Sequence, residues 1–222
     1  MSSTPEPARW HLAPTSEAIE VTERDLIRTA FLERTGLRPV AHQWEAYGQP
    51  FALLHRGTAR SIDHAISGVV RDVPVWMFEY WYAEDEEGLN GERPLTSFDC
   101  ITVAVDAWCP PLSVEPRQGP SGELSGGLRF ESEEFNRMFR VLASEREYAS
   151  AAVDARMMAW LLDHGRGMTF ELMNDRAMAA GPQGGARELD RVLEAGLALP
   201  GLVPRVLSSL YPYAGPLEMP PL

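Results

Sequence analysis

The chain has 222 residues, enough for one domain with a substantial core, and 45% of them are apolar, which excludes wholesale disorder. Its net charge of −12 opposes the backbone of nucleic acid. All 20 basic residues are arginine, so a lysine Schiff base and a P-loop lysine are both excluded.

Residues 1–15 are rich in Pro and Ser and read as a flexible N-terminal arm lacking the apolar core of a signal peptide. No run approaches the roughly 18 apolar residues of a membrane helix. These features, together with Cys100 and Cys109 as free buried thiols outside any C-x-x-C pair, predict a cytoplasmic protein without direct membrane insertion.

Residues 16–210 read as a single domain. Ile19, Leu26, Ile27, Ala30 and Phe31 fall near helical spacing, predicting a helix from Ser16 to Thr35 that Gly36 ends. Leu37 to Leu54, with Trp44, Tyr47 and Phe51, reads as a short strand and loop against a sheet edge.

The segment from Gly57 to Tyr82 organises the rest. Ile66 to Arg71 and Val73 to Tyr82 are rich in β-branched and aromatic residues and predict a hairpin turning at Arg71-Asp72. Val73, Val75, Met77 and Trp81 share one face, and Trp76, Phe78, Tyr80 and Tyr82 the other. Both faces are apolar, and both call for cover.

An acidic loop containing Glu84, Asp85, Glu86 and Glu87 follows. Phe98 to Ala107 alternates as a third strand, Trp108-Cys109-Pro110-Pro111 closes it, and Leu112 to Pro116 forms a fourth. Gly119 to Gly127 is a flexible connector, and a short strand is expected at Leu128 to Phe130. Glu133 to Phe139 reads as one or two helical turns, with Phe139 to Leu142 extended.

Ser144 and Glu147 form a capping-box pattern opening a helix to His164, which Gly165 stops. Met168 to Leu172 and Ala177 to Ala180 flank Asn174-Asp175, predicting a second hairpin. After the Gly181–Gly185 linker, Leu189, Val192, Leu193 and Leu197 mark an amphipathic helix broken at Pro200-Gly201. Pro204 to Leu210 adds a further turn, and residues 211–222 form an irregular tail. Strands in runs rather than βαβ alternation predict an α+β fold: an antiparallel sheet of hairpins packed by N-terminal, central and C-terminal helices.

Two stretches, Gly57 to Tyr82 and Arg129 to Ala180, resemble uncharacterised bacterial proteins, especially actinobacterial ones, of the family called domain of unknown function 3137. The resemblance spans roughly Phe51 to Leu207 and rests on Phe135, Phe139 and Val141, then Met157, Trp160 and Leu161. It implies core positions and no catalytic residues.

Asp63 and His64, with His55 nearby, form the polar pair most open to a metal or acid–base role. No nucleophile motif accompanies them, and a solvated strand end is the simpler account. The Glu84–Glu87 run lacks EF-hand spacing and reads as a solvated loop. His164-Gly165-Arg166-Gly167 can bind an anion, or can simply complement the negative end of a helix.

Trp76, Tyr80, Trp81 and Tyr82 form an interaction or ligand surface if the helices leave that face open, and otherwise pack beneath them. No catalytic residue, cofactor or metal ligand is assigned. The reading that follows is a non-catalytic protein-interaction or assembly module with an unidentified protein partner. The alternative is an enzyme or small-molecule-binding protein using Asp63 and His64.

Overall fold

In a computed structural model, the described residues are 22–40, 49–57, 59–84, 93–117 and 126–212. The acidic run at 85–87, most of the Gly119–Gly127 connector, the first 21 residues and the tail from 213 lie outside them. Among the described residues six strands form one antiparallel sheet accompanied by six helices, an α+β fold.

The hairpin is β2 (Arg60–Val70) and β3 (Val73–Ala83). Arg71 and Asp72 both take positive φ, 49° and 64°, as a two-residue turn matched to strand twist demands. β2 begins six residues before the predicted Ile66, because a bulge between Asp63 and Ile66 lets the ladder continue past His64, which sits at φ 50°. β1 (Arg38–Pro39) pairs outside β2.

The largest departure from expectation is β4, a single strand of 22 residues from Leu95 to Pro116. Trp108 to Pro111 does not close a strand; the chain runs through it. The prolines fall where the ladder is already interrupted: pairing to β3 ends at Val103, pairing to β5 (Phe139–Ala143) starts at Leu112, and the register to β6 shifts on both sides of Cys109. A residue without an N–H costs nothing in such a gap. Likewise β6 (Thr169–Pro182) is one strand along the other edge of β4, not a hairpin. Asn174, at φ 55° opposite Cys109, absorbs a bulge rather than making a turn. Leu128 makes only an isolated bridge to Val141 in place of the expected strand.

The helices are α1 (Glu23–Thr35), α2 (Glu133–Met138), α3 (Arg146–Ala152), α4 (Ala155–His164), α5 (Ala186–Leu202) and α6 (Arg205–Leu210). α1 opens with a Thr22/Asp25 capping box and ends at Gly36 in the left-handed region. The expected single central helix is two. Asp154 accepts the Met157 N–H at 2.8 Å and caps a new helix, so the apolar pattern restarts there. Pro200 does not break α5: it lies inside the last turn, and the helix continues to Leu202.

Both faces of the sheet are covered, by different means. On one face Val75, Met77, Ile101 and Val103 lie under α5 and its neighbours. α5 approaches so closely that a Cβ on Gly196 would sit 2.5 Å from Ile101. On the other face Phe78, Tyr80, Tyr82, Cys100 and Met178 pack against Phe51, Leu53 and Leu54, which belong to the 3-10 turn Ala52–His55 and its cap. The aromatic face is therefore covered by this turn rather than by helices. The segment before the hairpin supplies an edge strand at β1, as expected, while its end at Phe51–Leu54 lies over the sheet face.

Candidate functional site

Alternation along β3 separates its side chains as the sequence predicts, yet half of the aromatic set is buried. Tyr80 and Tyr82 are core residues, while Trp76 and Trp81 are half-buried. Burial drives the Tyr80 phenol up to about 12, and its hydroxyl donates to the Arg56 carbonyl at 3.1 Å. That bond ties the covering turn to the sheet.

Trp81 donates its indole N–H to Asp63 at 3.0 Å, and Ser61 donates to the same carboxylate at 3.3 Å. Asp63 thus orients an aromatic ring across the hairpin. His64 is exposed at the bulge, and His55 is exposed on the covering turn. Among the described residues no group of three His, Cys, Asp or Glu side chains converges on a metal position. Cys100 and Cys109 are buried free thiols, and burial pushes the Cys100 thiol well up.

Two concave regions stand out among the described residues. The smaller, about 300 Å³, lies where the 3-10 turn meets the distal half of β4. Ser113 and Glu171 are direct partners across β4 and β6, and Glu115 pairs with Arg140 across β4 and β5. This places two buried carboxylates on one face. Burial opposes charge on Glu115, but Arg140 at 2.6 Å and the adjacent Arg56 outweigh it and hold the carboxyl below its ordinary value. Glu171 accepts the N–H groups of Ala52 at 2.6 Å and Leu53 at 2.9 Å, although burial still raises its carboxyl. Each carboxylate is already satisfied, and each fixes a strand or the turn. Buried pairs of this kind lock geometry more than they stabilise it.

A half-buried ion cluster holds α1. Arg24 bridges Glu79, Asp99 and the Gly184 carbonyl, and Arg28 also reaches Glu79 at 2.9 Å. Asp99 keeps one oxygen without a partner, and burial pushes its carboxyl up to about 6.

The larger region is an open groove of about 950 Å³ between α4 and α5. The inward stripe of α5, Leu189, Val192, Leu193 and Leu199, meets the sheet. Helical periodicity then turns Arg187, Arg191 and Glu194 outward into the groove. Trp160 forms the facing wall, its ring 5.4 Å from His164 and 5.7 Å from Phe170.

Arg191 reaches across to the Arg166 carbonyl at 2.9 Å, and Arg166 folds back to the Leu162 carbonyl at 3.2 Å. The His164–Gly167 segment thus complements a helix end and lines the groove as well. The sequence signal for the Arg187/Arg191 pair is its i, i+4 spacing on a predicted amphipathic helix.

No family model matches the sequence, and no curated protein does. Among solved structures, the chain is similar to the crystal structure of the mycobacterial trehalose monomycolate transport factor A, TtfA. The identity is 12% and the TM-score 0.57, over 89% of this chain and 99% of that one, a likeness of fold.

Proposed function

We propose that this protein is a non-catalytic accessory module that acts by binding a protein partner through the α4–α5 groove. The observation that carries the reading is a contrast in charge. The buried carboxylates Glu115 and Glu171 and the half-buried Asp63 are engaged in holding strands, the covering turn and Trp81. Arg187 and Arg191 stand exposed beside Trp160 in the wide groove. Arginine and tryptophan are the side chains that most often anchor interfaces.

The fold shared with a protein titled a transport factor supports an accessory role rather than turnover. A cytoplasmic site of action belongs to the same reading, since two buried thiols suit a reducing compartment. So does kinship with the domain of unknown function 3137, supported by the burial of Phe135, Phe139 and Val141.

The test is affinity capture from the cells of origin. The intact protein is compared with Arg187→Glu/Arg191→Glu and with Asp63→Ala/His64→Ala. The expected result is a specific partner recovered by the intact chain and the Asp63/His64 variant and lost by the arginine variant. Recovery by all three, or a turnover that disappears with His64→Ala, overturns the reading.

A further inference from the structure

We infer that the occupant of the α4–α5 groove is an acidic amphipathic helix of a partner protein, an inference that rests on the interaction-module reading and names the partner's chemistry. Three arginines and three carboxylates line the groove, but two of those carboxylates are already paired from outside it: Asp190 with Arg34, and Glu194 with Arg71 at 2.6 Å. Arg166, Arg187 and Arg191 are then opposed inside the groove by Asp163 alone. Arg187 has no hydrogen bond or ion pair among the described residues. On a chain of net charge −12, this is a local surface of the opposite sign.

The shape selects a helix over a compact anion. The wall from Arg187 to Ala198 is one helical stripe about 16 Å long at the α-helical rise. Its basic end carries Arg187 and Arg191, and toward its other end the lining includes the small side chains of Ala195 and Ala198. Trp160 opposite supplies an apolar contact. Carboxylates at one end and an apolar stripe along the remainder fit that layout, the helix-in-groove mode of recognition. Arg191 is already extended across the groove, held by the Arg166 carbonyl, so part of its ordering precedes binding.

The experiment uses the full chain and a fluorescein-labelled peptide of about 15 residues, with Leu at helical spacing and Glu and Ala at the other positions. A second peptide carries Lys in place of Glu. Fluorescence anisotropy is expected to show saturable binding of the acidic peptide, weakening severalfold as salt rises from about 50 mM to about 500 mM. Arg187→Glu/Arg191→Glu is expected to weaken it by at least about tenfold, and binding of the Lys peptide should not fall in that variant. Circular dichroism confirms that the variant is folded.

Overall repulsion from the acidic chain makes the result discriminating, since an acidic peptide has no general reason to bind. Absence of binding, or equal binding by the variant, overturns the inference. Arginine-dependent binding to phosphatidylglycerol vesicles without peptide binding replaces the helix with an anionic membrane surface. If the peptide fails while the arginine variant still loses its partner in cells, the acidic helix is wrong and the interaction module stands. If partner capture is unaffected by the arginines, the module reading itself fails.

Discussion

The cleft beneath the 3-10 turn and the groove between α4 and α5 use the same ingredients, arginine, carboxylate and apolar wall, with opposite outcomes. In the cleft, Glu115 meets two arginines and Glu171 meets two backbone N–H groups, each carboxylate being nearly buried. In the groove, the exposed Arg187 and Arg191 extend from one helix face. The difference comes from position in the layers. A strand residue on a covered face must bring its counter-charge into the fold, whereas an outward helix residue can leave its charge for a partner. Concavity alone therefore does not identify a site; the state of the charges within it does.

The sharpest way to break the comparison is to uncover the sheet. Phe51→Ala should cost roughly 3–5 kcal/mol, because Phe51 is fully buried beneath Tyr80 and Tyr82. Denaturant unfolding measures this, and a cost below about 1 kcal/mol would show that the turn is not needed to cover that face. Binding at the groove, on the opposite face, should be unchanged under conditions where the variant remains folded.

Next in size is a pH effect at the α1 latch. Asp99 is raised from 3.8 to about 6, burial being the first cause, so the folded chain holds this proton more tightly than the unfolded chain. The associated stabilisation is complete below 3.8 and is lost as pH rises through about 6. Two units of pKa correspond to about 3 kcal/mol. Asp99→Asn should remove that pH-dependent component, read from unfolding curves taken at about pH 4 and about pH 7. Parallel pH profiles for the two proteins would contradict the assignment. Glu115, held low by its arginines, contributes in the reverse sense, its stabilisation fading as pH falls.

Glu171→Gln should cost roughly 1–3 kcal/mol, since one of the two N–H groups of the turn then faces an amide NH₂. Faster amide exchange at Ala52 and Leu53 would accompany the loss, and unchanged protection there would refute the pinning role. The smallest stability effect belongs to Arg187→Glu/Arg191→Glu, within about 0.5 kcal/mol, because both side chains are exposed. A drop of several kcal/mol would mean that the groove arginines hold the fold together and so collapse the contrast.

Local chemistry was legible wherever it acted over a few residues. The Arg71-Asp72 turn, the two-sided alternation of β3, the Gly36 stop and the inward stripe of α5 all follow from periodicity and backbone preference. The chain's α+β class follows from the same evidence, because strand-like and helix-like periods occur in separate runs. Asp63 and His64 are adjacent polar residues in sequence, but only the bulge and the Trp81 indole explain what each is doing.

Sequence alone thus determined the two apolar faces of the hairpin, its turn and the periodicity of the helices, because these depend on neighbours in the chain. Tertiary structure decided that Pro110 and Pro111 run through an uninterrupted β4, that Asn174 bulges rather than turns, and that Phe51 to Leu54 cover the aromatic face. It also decided which carboxylates are engaged and that Arg187 is left exposed without a partner among the described residues. Each of those outcomes depends on partners far away in sequence, so no local preference could have supplied it.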